Sequence, residues 1–235
     1  IQLLLIIHVL KTGRDRYWIW LLIFIPLLGG AAYLLIEVFP GLAGDLRVRR
    51  AARGVRRAVD PGSGVRPEAA DWERSANAET GRRYAAALID AGRPAEALDV
   101  LDQVLNGLFE HDPALLLLKA RAEFALDRHG AAVTTLERLN QENPDLRSPE
   151  GHLLYARALE AEGKTQEAID EYQAVADYYP GAEARYRLGE ALRRAGRDQL
   201  AREVFQRLVK DGQHAPRHFQ REQREWLNAA RKALD

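Results

Sequence analysis

From Ser148 to Pro180 the apolar positions return every three or four residues, the period of one face of a helix. A first run places apolar or small side chains at Leu154, Tyr155, Ala156, Ala158 and Leu159. A second places them at Ala168, Ile169, Tyr172, Val175 and Ala176. Gly163 falls between the runs and suits a helix C-terminus. Gln166 and Glu167 open the second run, and Pro180 bars its continuation. The pattern predicts a short helical hairpin. Two helices of this length cannot bury their own apolar faces, so the hairpin needs copies of itself.

The copies are present. Ala97, Ala132, Ala168 and Ala201 are equivalent, spaced by 35, 36 and 33 residues, and each is followed four residues later by a large apolar side chain: Leu101, Leu136, Tyr172 and Phe205. Proline follows twelve residues after the alanine at Pro144 and Pro180, and four further on at Pro113, after an insertion. The period and the small-residue pattern together resemble the tetratricopeptide repeat over roughly 78–213. The first-helix tryptophan of that family is missing from every copy. Lys119 stands where a leucine is usual, so the second copy is expected to be irregular. The insertion 106–112 reads most simply as an extension of the preceding helix.

The N-terminal pattern is different. Twenty residues from Tyr17 to Ile36 carry no charge, enough to span about 30 Å at about 1.5 Å per residue. This predicts a transmembrane helix over 17–36 within an anchor of residues 1–40, with membrane lipid around 17–39. Tyr17, Trp18 and Trp20 fall at one end, where amphipathic aromatics favour the membrane interface. A cleaved signal peptide fits less well, because no small-residue cleavage pattern precedes the basic stretch that follows. The segment 8–39 resembles the N-terminal membrane segment of cardiolipin synthases and related phospholipase D proteins. A basic turn precedes Trp20, Pro26, Gly29 and Tyr33 in that order. The resemblance implies that residues 1–10 are the tail of a first helix of a two-helix hairpin. The His-any-Lys motif of phospholipase chemistry is absent.

Residues 41–66 read as a basic juxtamembrane segment and flexible joint. Arg47, Arg49, Arg50, Arg53, Arg56 and Arg57 follow the apolar run, against three basic residues before it, and Pro61, Gly62, Ser63 and Gly64 form the joint. The excess of positive charge places the C-terminal side in the cytoplasm, at a bacterial-type inner membrane. The arginines serve either as a topology signal or as a contact with anionic lipid. Residues 67–213 are expected to hold about four hairpins, led by a helix over 68–78 with Trp72 packed on the first. Residues 214–235 are expected to form one capping helix with Phe219, Trp226, Leu227, Ala230 and Leu234 as its apolar stripe.

Charge alters the picture modestly. The chain has 34 basic and 34 acidic residues, but residues 1–60 hold nine and four of them, leaving 25 and 30 for the rest. The body is mildly acidic, and its arginines have neighbouring carboxylates, so no nucleic-acid surface is expected. No cysteine is present, which removes disulfides, thiolate metal sites and a cysteine nucleophile. No methionine is present either, even at position 1, as expected if the numbering begins inside a longer chain or a start residue was lost. His214 and His218 are spaced like a zinc pair, but Pro216 lies between them and no third ligand is apparent. There is no glycine-rich phosphate loop and no nucleophile motif. Neither a cofactor nor a metal nor independent catalysis is expected.

A surface remains. In tetratricopeptide arrays the first helices line a groove that receives peptides. The resemblance carries that role to Arg82, Ala86 and Asp90 in the first copy, Leu117, Arg121 and Phe124 in the second, Leu153, Arg157 and Glu160 in the third, and Tyr186, Glu190 and Arg193 in the fourth. Arg121 and Arg157 occupy equivalent positions and suit a carboxylate, or else pair internally with Glu160 or Glu123. The lysine and asparagine clamp that some members use for terminal carboxylates is not matched. The expected function is a non-catalytic, membrane-anchored, all-α scaffold that holds a protein or peptide in its groove. The alternative is a non-catalytic accessory subunit of a lipid or envelope biosynthesis enzyme.

Overall fold

The computed structural model describes residues 64–235, which form one compact unit. The apolar run 17–36, the interface residues Tyr17, Trp18 and Trp20, and the arginines Arg47, Arg49 and Arg50 lie outside the described residues. Among the described residues there is no strand, and no helix is long and apolar enough to cross a membrane.

A lead-in helix, α1 (Val65–Arg74), precedes four hairpins: α2 (Ala78–Asp90) with α3 (Pro94–Val104), α4 (Pro113–Ala125) with α5 (His129–Glu142), α6 (Pro149–Ala161) with α7 (Thr165–Ala176), and α8 (Glu183–Arg194) with α9 (Asp198–His214). Two short helices, α10 (Arg217–Glu222) and α11 (Arg224–Lys232), complete the chain. Each hairpin packs on the next, α3 on α4, α5 on α6 and α7 on α8, while α11 packs on α8 and α9.

The two helices of a hairpin begin differently. The first helices of the first three hairpins start on side-chain caps. Asn77 Oδ1 accepts from the backbone N–H of Glu79 and Thr80 at 3.0 and 3.1 Å, Asp112 Oδ1 from Ala114 and Leu115 at 2.9 and 3.0 Å, and Ser148 Oγ from Gly151 at 3.1 Å. Such caps stabilise a helix by about 1 kcal/mol. Second helices follow a left-handed turn instead. Gly92, Gly163 and Gly196 sit at φ 73°, 77° and 72°, and the next residue's N–H closes back onto Leu88, Leu159 and Leu192. In the second hairpin the same turn is made by Asp127, at φ 56°.

The core follows the repeat register. Ala97, Ala132 and Ala168 are fully buried and Ala201 nearly so, as are Leu101, Leu136, Tyr172 and Phe205 four residues on. Burial of an apolar side chain the size of Leu101 or Phe205 contributes about 1.5–3 kcal/mol. Trp72 of α1 packs on the first hairpin as the sequence suggests.

Two segments depart from expectation. The insertion does not extend α3. That helix stops at Val104, Asn106 Nδ2 donates to the Gln103 carbonyl at 2.6 Å, and Gly107, at φ 52°, opens a 3-10 turn over Gly107–Phe109 that leaves Leu108 98% exposed. The C-terminal segment is not one helix. It breaks at Gln223, where φ is −97° and ψ is 13°, and the Gln223 Oε1 accepts from the Ala182 N–H at 2.9 Å. Helix α8 has no side-chain cap of its own, and Gln223 supplies an acceptor at its start. Leu227 and Ala230 are buried and Trp226 and Leu234 pack against the core, whereas Phe219 is only partly covered.

Candidate partner-binding groove

The first helices touch one another directly, α2 with α4 and α4 with α6. A recess of about 430 Å³ opens on them, lined by Ile89 of α2, Leu117, Arg121 and Phe124 of α4, Glu150, Leu153, Leu154 and Arg157 of α6, Tyr179, and Glu183 of α8. Five of the sequence-derived groove residues therefore meet in one place: Leu117, Arg121, Phe124, Leu153 and Arg157.

Both arginines are held loosely. Arg121 Nη2 lies 3.6 Å from Asp90 Oδ1, and Arg157 Nη1 lies 3.9 Å from Glu183 Oε1. These distances exceed those of formed hydrogen bonds, so the guanidinium donors stay available. The Arg157 guanidinium carbon sits 4.8 Å from the Phe124 ring centroid, a cation–π position. Burial first, and the neighbouring Arg187 second, lower its pKa from the ordinary arginine value. An incoming anion would relieve that repulsion. Glu183 itself is claimed by Arg187 Nε at 2.8 Å, and the Arg187 guanidinium lies 5.3 Å from the Trp226 ring.

The internal pairing that the sequence offered as an alternative does not form with Glu160 or Glu123. Glu160 accepts from the Tyr172 hydroxyl at 2.8 Å and from Arg194; burial, followed by this carboxylate, raises the Tyr172 pKa. Glu123 is buried and accepts from Thr135 at 2.7 Å. Of the remaining sequence candidates, Asp90 stands beside the recess at Arg121, and the others are not part of its lining. Arg82 is paired bidentately with Glu79 at 2.9 and 2.8 Å, Tyr186 packs on Phe205 and Trp226, and Arg193 pairs with Glu190 at 2.8 Å. Sequence reasoning missed Glu150 and Glu183. Each lies three residues before a groove residue, Leu153 and Tyr186, so continuing the same helical stripe back by one turn finds both. Among the described residues no group of histidine and carboxylate side chains could hold a metal ion.

A tetratricopeptide-repeat family model matches residues 88–158 and a second matches residues 152–216. With the hairpin geometry, these matches define a tetratricopeptide-repeat solenoid. Solved structures of the same fold include MamA, at 18% identity and a TM-score of 0.58, covering 72% of this chain and 96% of that one. MamA 41-end from Desulfovibrio magneticus RS-1 matches at 20% and 0.57, covering 69% and 91%. A Podospora anserina putative kinesin light chain with nearly identical TPR-like repeats matches at 22% and 0.50, covering 66% and 93%. At these identities the likeness concerns the fold. No curated protein matches the sequence.

Proposed function

We propose that this protein is a non-catalytic scaffold that holds a segment of a partner protein in the recess between α2, α4 and α6. The observation that carries the reading is the convergence of two loosely paired arginines, Arg121 and Arg157, with Leu117, Phe124 and Leu153. Such a surface suits a short amphipathic segment that presents a carboxylate between apolar side chains. A guanidinium fork holds a carboxylate in a defined orientation, and the apolar lining contributes burial. Asp90, on Arg121, is displaced or joined by the incoming carboxylate. Arg82 on α2, Glu160 on α6, and Tyr186, Glu190 and Arg193 on α8 extend the candidate surface beyond the recess.

The proposal extends to location. The uncharged run 17–36 anchors the chain in an inner membrane, residues 41–66 join it to the repeats, and the arginine excess places residues 67–235 on the cytoplasmic side. Tethering raises the effective concentration of the groove at the bilayer surface. A second reading, an accessory role beside a lipid or envelope biosynthesis enzyme, is favoured by the resemblance of residues 8–39 to cardiolipin synthase anchors. Fractionation of lysed cells tests the anchor: the chain is expected in the membrane pellet, and recovery in the supernatant contradicts it. An inactive C-terminal alkaline phosphatase fusion beside a bright fluorescent fusion is the topology result expected, and the opposite pair places the repeats outside. Co-purification from membranes separates the two functional readings by whether envelope biosynthetic enzymes are recovered.

A further inference from the structure

Arginines are used differently at the two ends of the repeat unit. Between Arg74 and Arg194, eleven arginines lie within 4.0 Å of a carboxylate. From Arg197 onward none of the seven arginines does, among the described residues. Four of these seven, Arg217, Arg221, Arg224 and Arg231, line a single hollow of about 470 Å³ where α10 and α11 meet. All four are exposed. The rest of the lining is Gln220, Asn228 and one leucine, without a carboxylate. Glu222 and Glu225, on the same two helices, are not part of it. Asn228 Oδ1 accepts from Arg231 Nη1 at 2.8 Å, which orients that guanidinium, and Gln220 donates to the Ala215 carbonyl at 2.8 Å. The two short helices meet at the break at Gln223, whose side chain accepts from the Ala182 N–H.

We propose that this hollow binds a phosphate-bearing anion through Arg217, Arg221, Arg224 and Arg231. Four like charges around one concavity repel one another unless a multiply charged ligand enters. A phosphate carries up to two negative charges and several acceptor oxygens, which matches more than one guanidinium fork at once. A peptide carboxylate carries one charge, and the hollow offers a single leucine to receive neighbouring side chains. The lining holds no aromatic ring on which a base could stack, which argues against single-stranded nucleic acid. The phosphate can come from a free compound or from a phospholipid headgroup. The site is separate from the groove on α2, α4 and α6.

The test uses the full chain in a neutral detergent at low salt, titrated calorimetrically with two probes: pyrophosphate, and dihexanoyl phosphatidic acid, whose phosphate monoester can carry two charges, below its micellar concentration. Saturable binding of at least one probe is expected, weakening as salt is raised. The Arg217→Gln/Arg221→Gln/Arg224→Gln/Arg231→Gln variant is expected to lose about tenfold or more in affinity. The Arg128→Gln/Arg147→Gln variant removes two exposed arginines outside the hollow and is expected to bind as the wild type does. Unchanged melting of both variants confirms that they fold. Binding of pyrophosphate identifies a free phosphate compound, and binding of the lipid without pyrophosphate identifies a headgroup. Failure of the folded wild type to bind either probe, equal losses in the two variants, or tighter binding of a single-stranded oligonucleotide through the same four arginines overturns the proposal.

Discussion

Glu123 stands at a helix-crossing position that Leu88, Leu159 and Leu192 occupy in the other hairpins, and it is 6% exposed. The same substitution pattern runs along α4. Lys119 replaces Tyr84, Tyr155 and Leu188, and Asp127 replaces Gly92, Gly163 and Gly196. The charges are accommodated one by one. Lys119 reaches Asp102 at 2.7 Å, Glu123 takes the Thr135 hydroxyl, and Asp127 faces His129 at 3.8 Å. Burial raises the Glu123 pKa above its ordinary value of 4.5, against the opposing pull of Thr135 and Lys119. The folded chain therefore holds the Glu123 proton more tightly than the unfolded chain does. The resulting stabilisation is complete below the unfolded value and is lost as the pH rises through the folded one. Glu123→Gln removes the titration while keeping an acceptor for Thr135. Between about pH 4 and about pH 7, the melting temperature of the wild type is expected to fall relative to Glu123→Gln. A constant difference across that range, read by far-ultraviolet circular dichroism, would sink this account. The irregularity of the second copy was legible at Lys119. Glu123 and Asp127 become legible once the four copies are aligned column by column, but their partners, Thr135 and His129, belong to the next helix and require the fold.

Helices pair through contacts whose size is set by both partners. A Cβ built on Gly189 of α8 would lie 2.4 Å from Phe205 of α9. Phe205 is buried, with its ring 5.8 Å from that of Tyr186, so displacing it disturbs the core. Gly189→Ala would gain about 1 kcal/mol in helix propensity, yet it is expected to destabilise the chain through overpacking of about 1–3 kcal/mol. A lower melting temperature is the expected result, and a rise would mean that the α8–α9 contact is looser than described. The helix starts were only partly legible. Asn77, Asp112 and Ser148 are recognisable as caps from residue type and, at two of them, the following proline. Gln223 is not, because glutamine is a good helix former and its role depends on an N–H 41 residues earlier in the chain. The insertion was misread for a related reason. Its apolar pair Leu108 and Phe109 continues a helical period, while Gly107 at positive φ and the Asn106 bond to Gln103 end the helix before it.

Across the repeat unit the core is divided. One apolar cluster joins α1, α2, α3 and part of α4, and another joins α6 through α9 with α11 and the start of α5. The second hairpin lies between them, bridged by the buried Glu123–Thr135 bond and a small cluster of Ala120, Leu136 and Leu154. The groove recess opens over this same hairpin, on Leu117, Arg121 and Phe124. The solenoid was legible from its period, and the repeat alignment singled out five residues that line the recess. The grouping of those five into one recess depends on how successive first helices pack, which a single repeat does not encode. The central claim is that this recess holds a partner through its two arginines. The most direct measurement is photo-crosslinking in intact cells from a photoreactive residue placed at Leu117, with the exposed Gln206 on α9 as the control position. A discrete protein adduct is expected from position 117, absent from position 206, and reduced about tenfold or more by Arg121→Gln/Arg157→Gln, since removing a charge-assisted hydrogen bond costs about 1.5–3 kcal/mol. An adduct of equal yield from both positions, or one that persists unchanged in the double variant, would contradict the claim.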